Sequence, residues 1–480
     1  MSEDERIRVL FAEKNGGISA ASNRALEIAN GSFIALLDHD DEYAENALYE
    51  VARTIREHPQ ADMIYSDEDK LDPEGRHIDP FFKPDWAPEF FLSCMYTCHL
   101  SAYRTSLVRK LGGFRSEFDL AQDYDLALRV VSHIQANENW IEEQERIRHI
   151  PEVLYHWRMV PTSTATGHQA KPQAEVVARR AVQSYLDRQG RNGKVERGPS
   201  PGLQRVRYPI DGNPKVSIVI PTASKQTAFH EGPTWFVLHC VESIRRLTTY
   251  QNYEIIVIDN ADMPVELQSK LDALDVKRVS FTEPFNLATK MNFGASFATG
   301  EYLLLLNDDM ELITPNWLES MLEYAQMPEI GCVGAKLFFG NGHIQHAGVT
   351  FVGPLPMHHF YNQPGEHPGY WGGNILVRNY SAVTGACMLT KTALYREIGG
   401  FDLAFPLNFN DIDFCMKVLD RNLRIVMQPN AQLYHFESAS KEGTFVHEVE
   451  AFLARHEHRW ACDPLYSPHL TRREMDYRLA

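Results

Sequence analysis

Apolar residues in this chain come in short runs, and several of those runs end abruptly in carboxylates. Leu303 to Leu306 is four consecutive leucines, followed at once by Asn307-Asp308-Asp309-Met310-Glu311. A run of this length is far short of the ~20 residues that cross a bilayer and suits a strand buried on both faces of a parallel sheet. The same character predicts strands at Lys215 to Thr222, stopped by Pro221, and at Glu254 to Ile258, with a helix through Phe236 to Leu247 between them. Strand, helix and strand in that order make half of a doubly wound sheet, which binds ligands beyond the carboxyl ends of its strands. Pro221, Thr222 and Asp259 stand at such ends, where a base and ribose could sit. Asp308, Asp309 and Glu311 would there offer oxygens to a hard cation such as magnesium or manganese. Plainer readings exist for the acids: Asp after a strand favours a turn, and an acidic turn can cap a helix beginning near Pro315.

The pattern occurs twice. Gly31 to Glu42 is a second apolar run closing on Asp38, Asp40 and Asp41. Gly112-Gly113-Phe114 is echoed by Gly399-Gly400-Phe401, and Asp123-Tyr124-Asp125 by Asp411-Ile412-Asp413. Leu154-Tyr155-His156-Trp157 returns as Leu433-Tyr434-His435-Phe436. Ordered matches at similar intervals indicate two copies of one domain. The first copy predicts a short strand at Val9 to Phe11, a helix from Ala20 to Ala29, a strand from Phe33 to Leu37 and an amphipathic helix from Pro172 to Leu186. Nothing in it matches the opening strand-helix-strand; it starts near the equivalent of residue 278, and this mid-domain entry suggests a lost upstream segment. Residues 191–212 are rich in Gly, Pro, Arg and Ser, lose apolar periodicity and read as a linker. The expected domains are therefore 1–190 and 213–480.

Composition narrows the function. With 480 residues and 44% hydrophobic content, the chain can bury two sizeable cores. A net charge of -17 argues against nucleic-acid binding, which needs clustered Lys and Arg. Seven cysteines, scattered and mostly within apolar runs, read as the reduced core thiols of a cytoplasmic protein. Cys94, Cys98 and His99 have no second ligand pair and read as packing. No signal peptide or membrane span is visible, so any membrane contact would be peripheral. His346, His358 and His359 could contact sugar hydroxyls but read more simply as loop residues, while Tyr370 and Trp371 suit either a stacked sugar ring or an aromatic core.

Together the motifs resemble the inverting glycosyltransferases of family 2, in particular two-domain bacterial enzymes of surface-polysaccharide assembly that include rhamnosyltransferase-like members. The resemblance rests on VSIVIPT at 216–222, EIIVIDN at 254–260, LLNDD at 305–309, GGFD at 399–402, NDIDF at 410–414 and DPLYSP at 463–468. In the first copy NGGISAA at 15–21, DHDD at 38–41, YSDEDK at 65–70 and AQDYDL at 121–126 fit the same family. It implies an α/β protein of two tandem GT-A (nucleotide-diphospho-sugar transferase, Rossmann-like) domains, the first without its nucleotide-binding half.

By position, Pro221, Thr222, Asp259, Asn307 and Asp308 would hold the nucleotide, and Asp309 and His435 would hold Mn2+ or Mg2+. Asn307 replaces the commoner Asp of that triplet. Asp411 would be the catalytic base. Domain-one equivalents are Asp40 and His156 for the metal and an idle Asp123 for the base. The implied reaction moves a sugar from a UDP- or dTDP-sugar donor to a saccharide or lipid-linked acceptor, in the cytoplasm or at the inner face of the plasma membrane. A carboxylate takes the acceptor proton while a metal stabilises the leaving diphosphate. Two other classes remain open: a non-catalytic sugar-nucleotide or carbohydrate-binding scaffold, and a sugar-nucleotide pyrophosphorylase.

Overall fold

A computed structural model describes residues 4, 6–136, 139–160, 172–229, 232–353, 355–436, 446–459, 463–473 and 477–479. The chain divides into two compact units, Met1–Arg207 and Tyr208–Ala480.

In the first unit, strands β1 (Phe33–Ala35), β2 (Glu42–Tyr43), β3 (Met63–Leu71), β4 (His77–Phe81), β5 (Ser101–Arg104) and β6 (Ile147–Arg158) form one sheet in the order β1-β5-β3-β6-β2, with β4 on β3. Helix Ala47–Glu57 packs over this sheet, and Ala47, Val51, Ile64, Leu100, Leu154 and Tyr155 share its core. The expected strand at Val9 to Phe11 does not form. These residues pair with no strand, and Phe11 is 84% exposed. Apolar character without a neighbouring strand cannot satisfy the backbone.

Part of the expected linker is also ordered. β7 (Lys194–Arg197) and β8 (Gln204–Arg207) pair as a hairpin within 191–212. Its Gly and Pro content belongs to the turn, where Gly202 has φ 78, and hides the inward-facing Gln204, Val206 and Tyr208.

The second unit begins with β9 (Val216–Pro221) and a hairpin, β10 (Gln226–Phe229) and β11 (Gly232–Trp235). Then come β12 (Tyr253–Asp259), β13 (Lys277–Ser280), β14 (Tyr302–Leu306), β15 (Met310–Leu312), β16 (Ile330–Phe338) and β17 (Ile344–His346). β18 (Val349–Phe351), β19 (Pro356–His358), β20 (Arg378–Asn379), β21 (Cys387–Lys391) and β22 (Arg424–His435) complete it. The main sheet runs β13-β12-β9-β14-β21-β16-β22-β15. All five residues of β14 are buried, with β9 parallel on one edge and β21 antiparallel on the other.

Five strands have the same order and directions in both units. β1-β5-β3-β6-β2 matches β14-β21-β16-β22-β15, with the third and fourth strands parallel and the other neighbours antiparallel. Even a corner bond repeats: Thr105 Oγ1 donates to the Gly31 carbonyl at 2.7 Å, and Thr392 Oγ1 to the Gly300 carbonyl at 2.7 Å. The difference lies beyond β1. Among the described residues no strand occupies the edge that β9 fills in the second unit, and helix Ile18–Ile28 and β1 instead line an open cavity of about 540 Å³.

This difference should be measurable. Leu304 is fully buried in β14, so Leu304→Ala should destabilise the second unit by about 2–5 kcal/mol. Ile34, on the open-edged β1, is only partly buried; Ile34→Ala should cost clearly less in the same urea titration.

Candidate functional site

The carboxyl ends of β9, β12 and β14 converge on one edge of the second unit's sheet. Thr222 ends β9 and donates its hydroxyl to Asp308 Oδ2 at 2.6 Å. Asp259, closing β12, accepts a hydrogen bond from the Ala261 amide at 2.6 Å. Beneath them lies Lys290, on the helix Leu287–Ser296, donating to the Thr222 carbonyl and to Asn260 Oδ1, both at 2.7 Å. Burial lowers this ammonium to about 8, against the pull of Asp308 and Asp259.

Asn307, Asp308 and Asp309 follow β14 directly; Asp309 is buried and Asp308 partly so. Burial pushes Asp308 up to about 6; the neighbouring Asp309 charge adds to the rise, while the Thr222 hydroxyl and Lys290 oppose it.

His435, the last residue of β22, brings its Nε2 to 3.1 Å from Asp309 Oδ1 and 3.2 Å from Asn307 Nδ2. Its Nδ1 meets Gln345 Oε1. A side-chain carbonyl only accepts, so Nδ1 donates to Gln345 and the ring is held with Nε2 facing Asn307 and Asp309. A partner that fixes the far nitrogen is how metal-binding imidazoles are oriented. Adjacent carboxylates and an oriented imidazole suit a divalent cation: it would neutralise two like charges whose mutual repulsion already disfavours ionisation.

Asp411 approaches from another element, the first turn of helix Asn410–Leu419. Its Oδ2 accepts from the Gly385 amide at 2.7 Å and from Thr384 Oγ1 at 3.3 Å. Asp411, Asn307 and His435 line a single cavity of about 380 Å³. Asp413, the other acid of the motif, turns inward to Lys417, Arg455 and His456 at 2.7, 2.9 and 3.1 Å, and these partners hold it down to about 2 against the cost of burial. Two acids of one motif thus have separate jobs, because neighbouring helix positions face different ways.

The family model described as glycosyl transferase family 2 matches residues 1–112 and 217–382. The chain belongs to glycosyltransferase family 2. Its architecture is mixed α/β. The two matched segments fall in different units, and Asp411 and His435 lie outside both. An uncharacterized protein, y4gI, of Sinorhizobium fredii is 39% identical over 100% of this chain and 53% of its own length. The O-antigen biosynthesis protein RfbC of Myxococcus xanthus is 35% identical over 98% of this chain and 36% of its own length. The chain therefore spans about half and about a third of the length of these relatives. Among solved structures, GalNAc-T7 with UDP, GalNAc and Mn2+ overlays 51% of this chain and 48% of its own, with a TM-score of 0.40 and 15% identity.

Within this family frame, the second unit brings Thr222, Asn307, Asp308, Asp309 and His435 together at the sheet edge, with Pro221 and Asp259 at the neighbouring strand ends. The first unit differs in detail. His156 Nδ1 bonds Asp69 Oδ1 at 2.6 Å, not Asp40, whose side chain lies 3.5 Å from His39. By strand register, Glu42 faces His156 as Met310 faces His435, which puts Asp41 where Asp309 stands. Asp41 accepts hydrogen bonds from the Tyr155 hydroxyl at 2.5 Å and the Arg158 amide at 2.8 Å. One extra residue between β1 and β2 causes the shift. Asp123 occupies the helix position of Asp411, raised by burial, and lines the open cavity with Asp38 and His99.

Lys290 and Gln345 were not foreseen, and only a helical or strand position marks them in sequence. His346 is not a loop residue. It lies fully buried in β17, accepts from the Thr384 amide at 3.3 Å through Nε2 and meets His358 Nδ1 at 2.9 Å. His359 is buried too, against Thr350 Oγ1 at 2.7 Å. Tyr370 stacks on Tyr477 with ring centroids 5.1 Å apart, an aromatic core contact.

The raised Asp308 carboxyl carries a stability cost with a definite sign. In metal-free protein the folded state keeps its proton up to about pH 6 while the unfolded chain releases it near 4. Stability therefore falls as pH rises through this window, by up to about 3 kcal/mol. Asp308→Asn should be the more stable protein at pH 7 in chelator, with the difference vanishing near pH 4, as read by urea midpoints.

Proposed function

We propose that the second unit is a metal-dependent, inverting glycosyltransferase that takes its sugar from a UDP- or dTDP-linked donor. The observation that carries this reading is the single cavity lined by Asn307, His435 and Asp411. Asn307, which precedes the acidic pair, and His435, which contacts Asp309, line it together with the independently anchored carboxylate of Asp411. An in-line displacement at the anomeric carbon needs a leaving-group stabiliser and a proton acceptor at separate places. Asp411 is suited to the second task. Two donors, the Gly385 amide and Thr384 hydroxyl, fix its Oδ2, so the carboxylate is oriented before an acceptor hydroxyl arrives.

Thr222, Asp259 and Lys290 would position the nucleotide at the ends of β9 and β12. Asp308, Asp309 and His435 would hold Mn2+ or Mg2+, which when bound neutralises charge on the departing diphosphate. The acceptor is a saccharide or a lipid-linked saccharide of surface-polysaccharide assembly, a reading supported by the O-antigen biosynthesis role in the name of one relative. Among the described residues no helix is long and apolar enough to cross a membrane, and a lipid-linked acceptor would be met by peripheral contact.

The first unit is a second, shortened family 2 domain with no transferase activity of its own in this chain. Its open β1 edge favours that reading, because the strands that carry Thr222 and Asp259 in the second unit have no counterpart among its described residues.

Nucleoside-diphosphate release from candidate sugar donors tests the division. Asp411→Asn should lower turnover by about 10²- to 10⁴-fold, the usual worth of a general base, while Asp123→Asn leaves it near wild type. The reverse pattern would overturn the assignment. Calorimetric titration of UDP and dTDP should show one site that depends on manganese and loses that dependence in Asp309→Ala; two metal-dependent sites would mean that the first unit also holds donor.

A further inference from the structure

We propose that Asp69, His77 and His156 form a transition-metal site of the zinc class in the first unit, separate from the carboxylate site of the second. Three consecutive acids of β3, Asp67, Glu68 and Asp69, are buried, and each is compensated differently. Asp67 accepts from the Lys83 amide at 2.8 Å and pairs with His149 at 2.9 Å. Glu68 pairs with the fully buried Lys83 ammonium at 3.0 Å and accepts from the His99 amide at 2.9 Å. Among the described residues, the ion-pair partners of Asp69 are two imidazoles, His156 Nδ1 on Oδ1 at 2.6 Å and His77 Nδ1 on Oδ2 at 2.8 Å.

The geometry is that of a ligand set. One atom from each of the three residues lies within 4.8 Å of the others, so a modest contraction brings them to the ~2.0 Å bonds of a zinc centre. The two rings meet edge-on, with centroids 4.4 Å apart and planes at 74°. Their nitrogens therefore approach the carboxylate from different planes and do not stack side by side. Asp69 comes from β3, His77 from β4 and His156 from β6, with β4 and β6 both hydrogen-bonded to β3.

Donor chemistry selects the ion. Two imidazoles and one carboxylate suit Zn2+, Co2+ or Ni2+, whereas Mg2+ and Ca2+ favour all-oxygen shells. Three protein ligands leave a fourth position for water. The bound ion would replace the two imidazole protons that now meet Asp69 and would clip the β3–β4 hairpin to β6.

The test uses the full chain, stripped of metal and reloaded with Zn2+ or Co2+. Wild type should show the visible absorption of low-coordinate Co2+ and bind one equivalent more than His77→Ala at concentrations that fill the site. Asp309→Ala should keep that signal, and His77→Ala should weaken binding by at least about tenfold. The His77 side chain is 56% exposed, so the substitution disturbs little packing. A second readout needs no variant. Zinc on Nδ1 leaves the outer nitrogen of His77 protonated and without a lone pair, so carbethoxylation of His77, followed by mass spectrometry, should be suppressed by zinc. Cobalt spectra and affinities identical in wild type and His77→Ala, a signal lost in Asp309→Ala instead, or His77 modification indifferent to zinc would each overturn the proposal.

Discussion

The second unit depends on a buried strand that ends in charge. β14 is enclosed by β9 and β21, and enclosure is what lets four leucines and a tyrosine be stable there. The same enclosure carries Asp308 into a setting where its ionised form is disfavoured. Surrounding polar groups are arranged around that fact: the Thr222 hydroxyl donates to Asp308, Lys290 places positive charge nearby, and Gln345 holds the His435 ring with Nε2 toward Asp309. A site kept electrostatically uncomfortable in this way would suit the cation and diphosphate proposed for it, and the discomfort is a local sacrifice of stability.

Comparison of the two units separates scaffold from site. Both have the same five strands and the same threonine-to-glycine corner bond, so this framework is common to the two units. Chemistry is less transferable. A shift of one residue between β1 and β2 gives Asp41 to Tyr155 and leaves His156 to Asp69.

Much of the site was legible in sequence because its members are close together in the chain. Asn307, Asp308 and Asp309 follow an unmistakable apolar run, and the acids of 410–414 open a helix whose start is visible. Lys290 was not legible: a single lysine on a helix of low amphipathicity gives no sign that it will be buried under two strand ends. Nor was Gln345 or the pairing of His346 with His358, since a short apolar stretch with glycines on either side reads as loop until a sheet covers it. The hairpin at 194–207 was hidden for the opposite reason, its turn residues outweighing two short strands in composition.

The sequence by itself determined the α/β class, the ordered repeat of motifs and the acids after apolar runs, because hydrophobic periodicity and adjacency are local properties that survive without a fold. Only the tertiary structure decided which of two neighbouring acids faces the cavity, that Asp411 and His435 share it, and that His156 belongs with Asp69 and His77. Those outcomes hinge on strand register and on contacts between residues far apart in the chain, 87 positions for Asp69 and His156 and 128 for Asn307 and His435. Pairing at that range is set by how strands align in a sheet, and no local pattern of side chains encodes it.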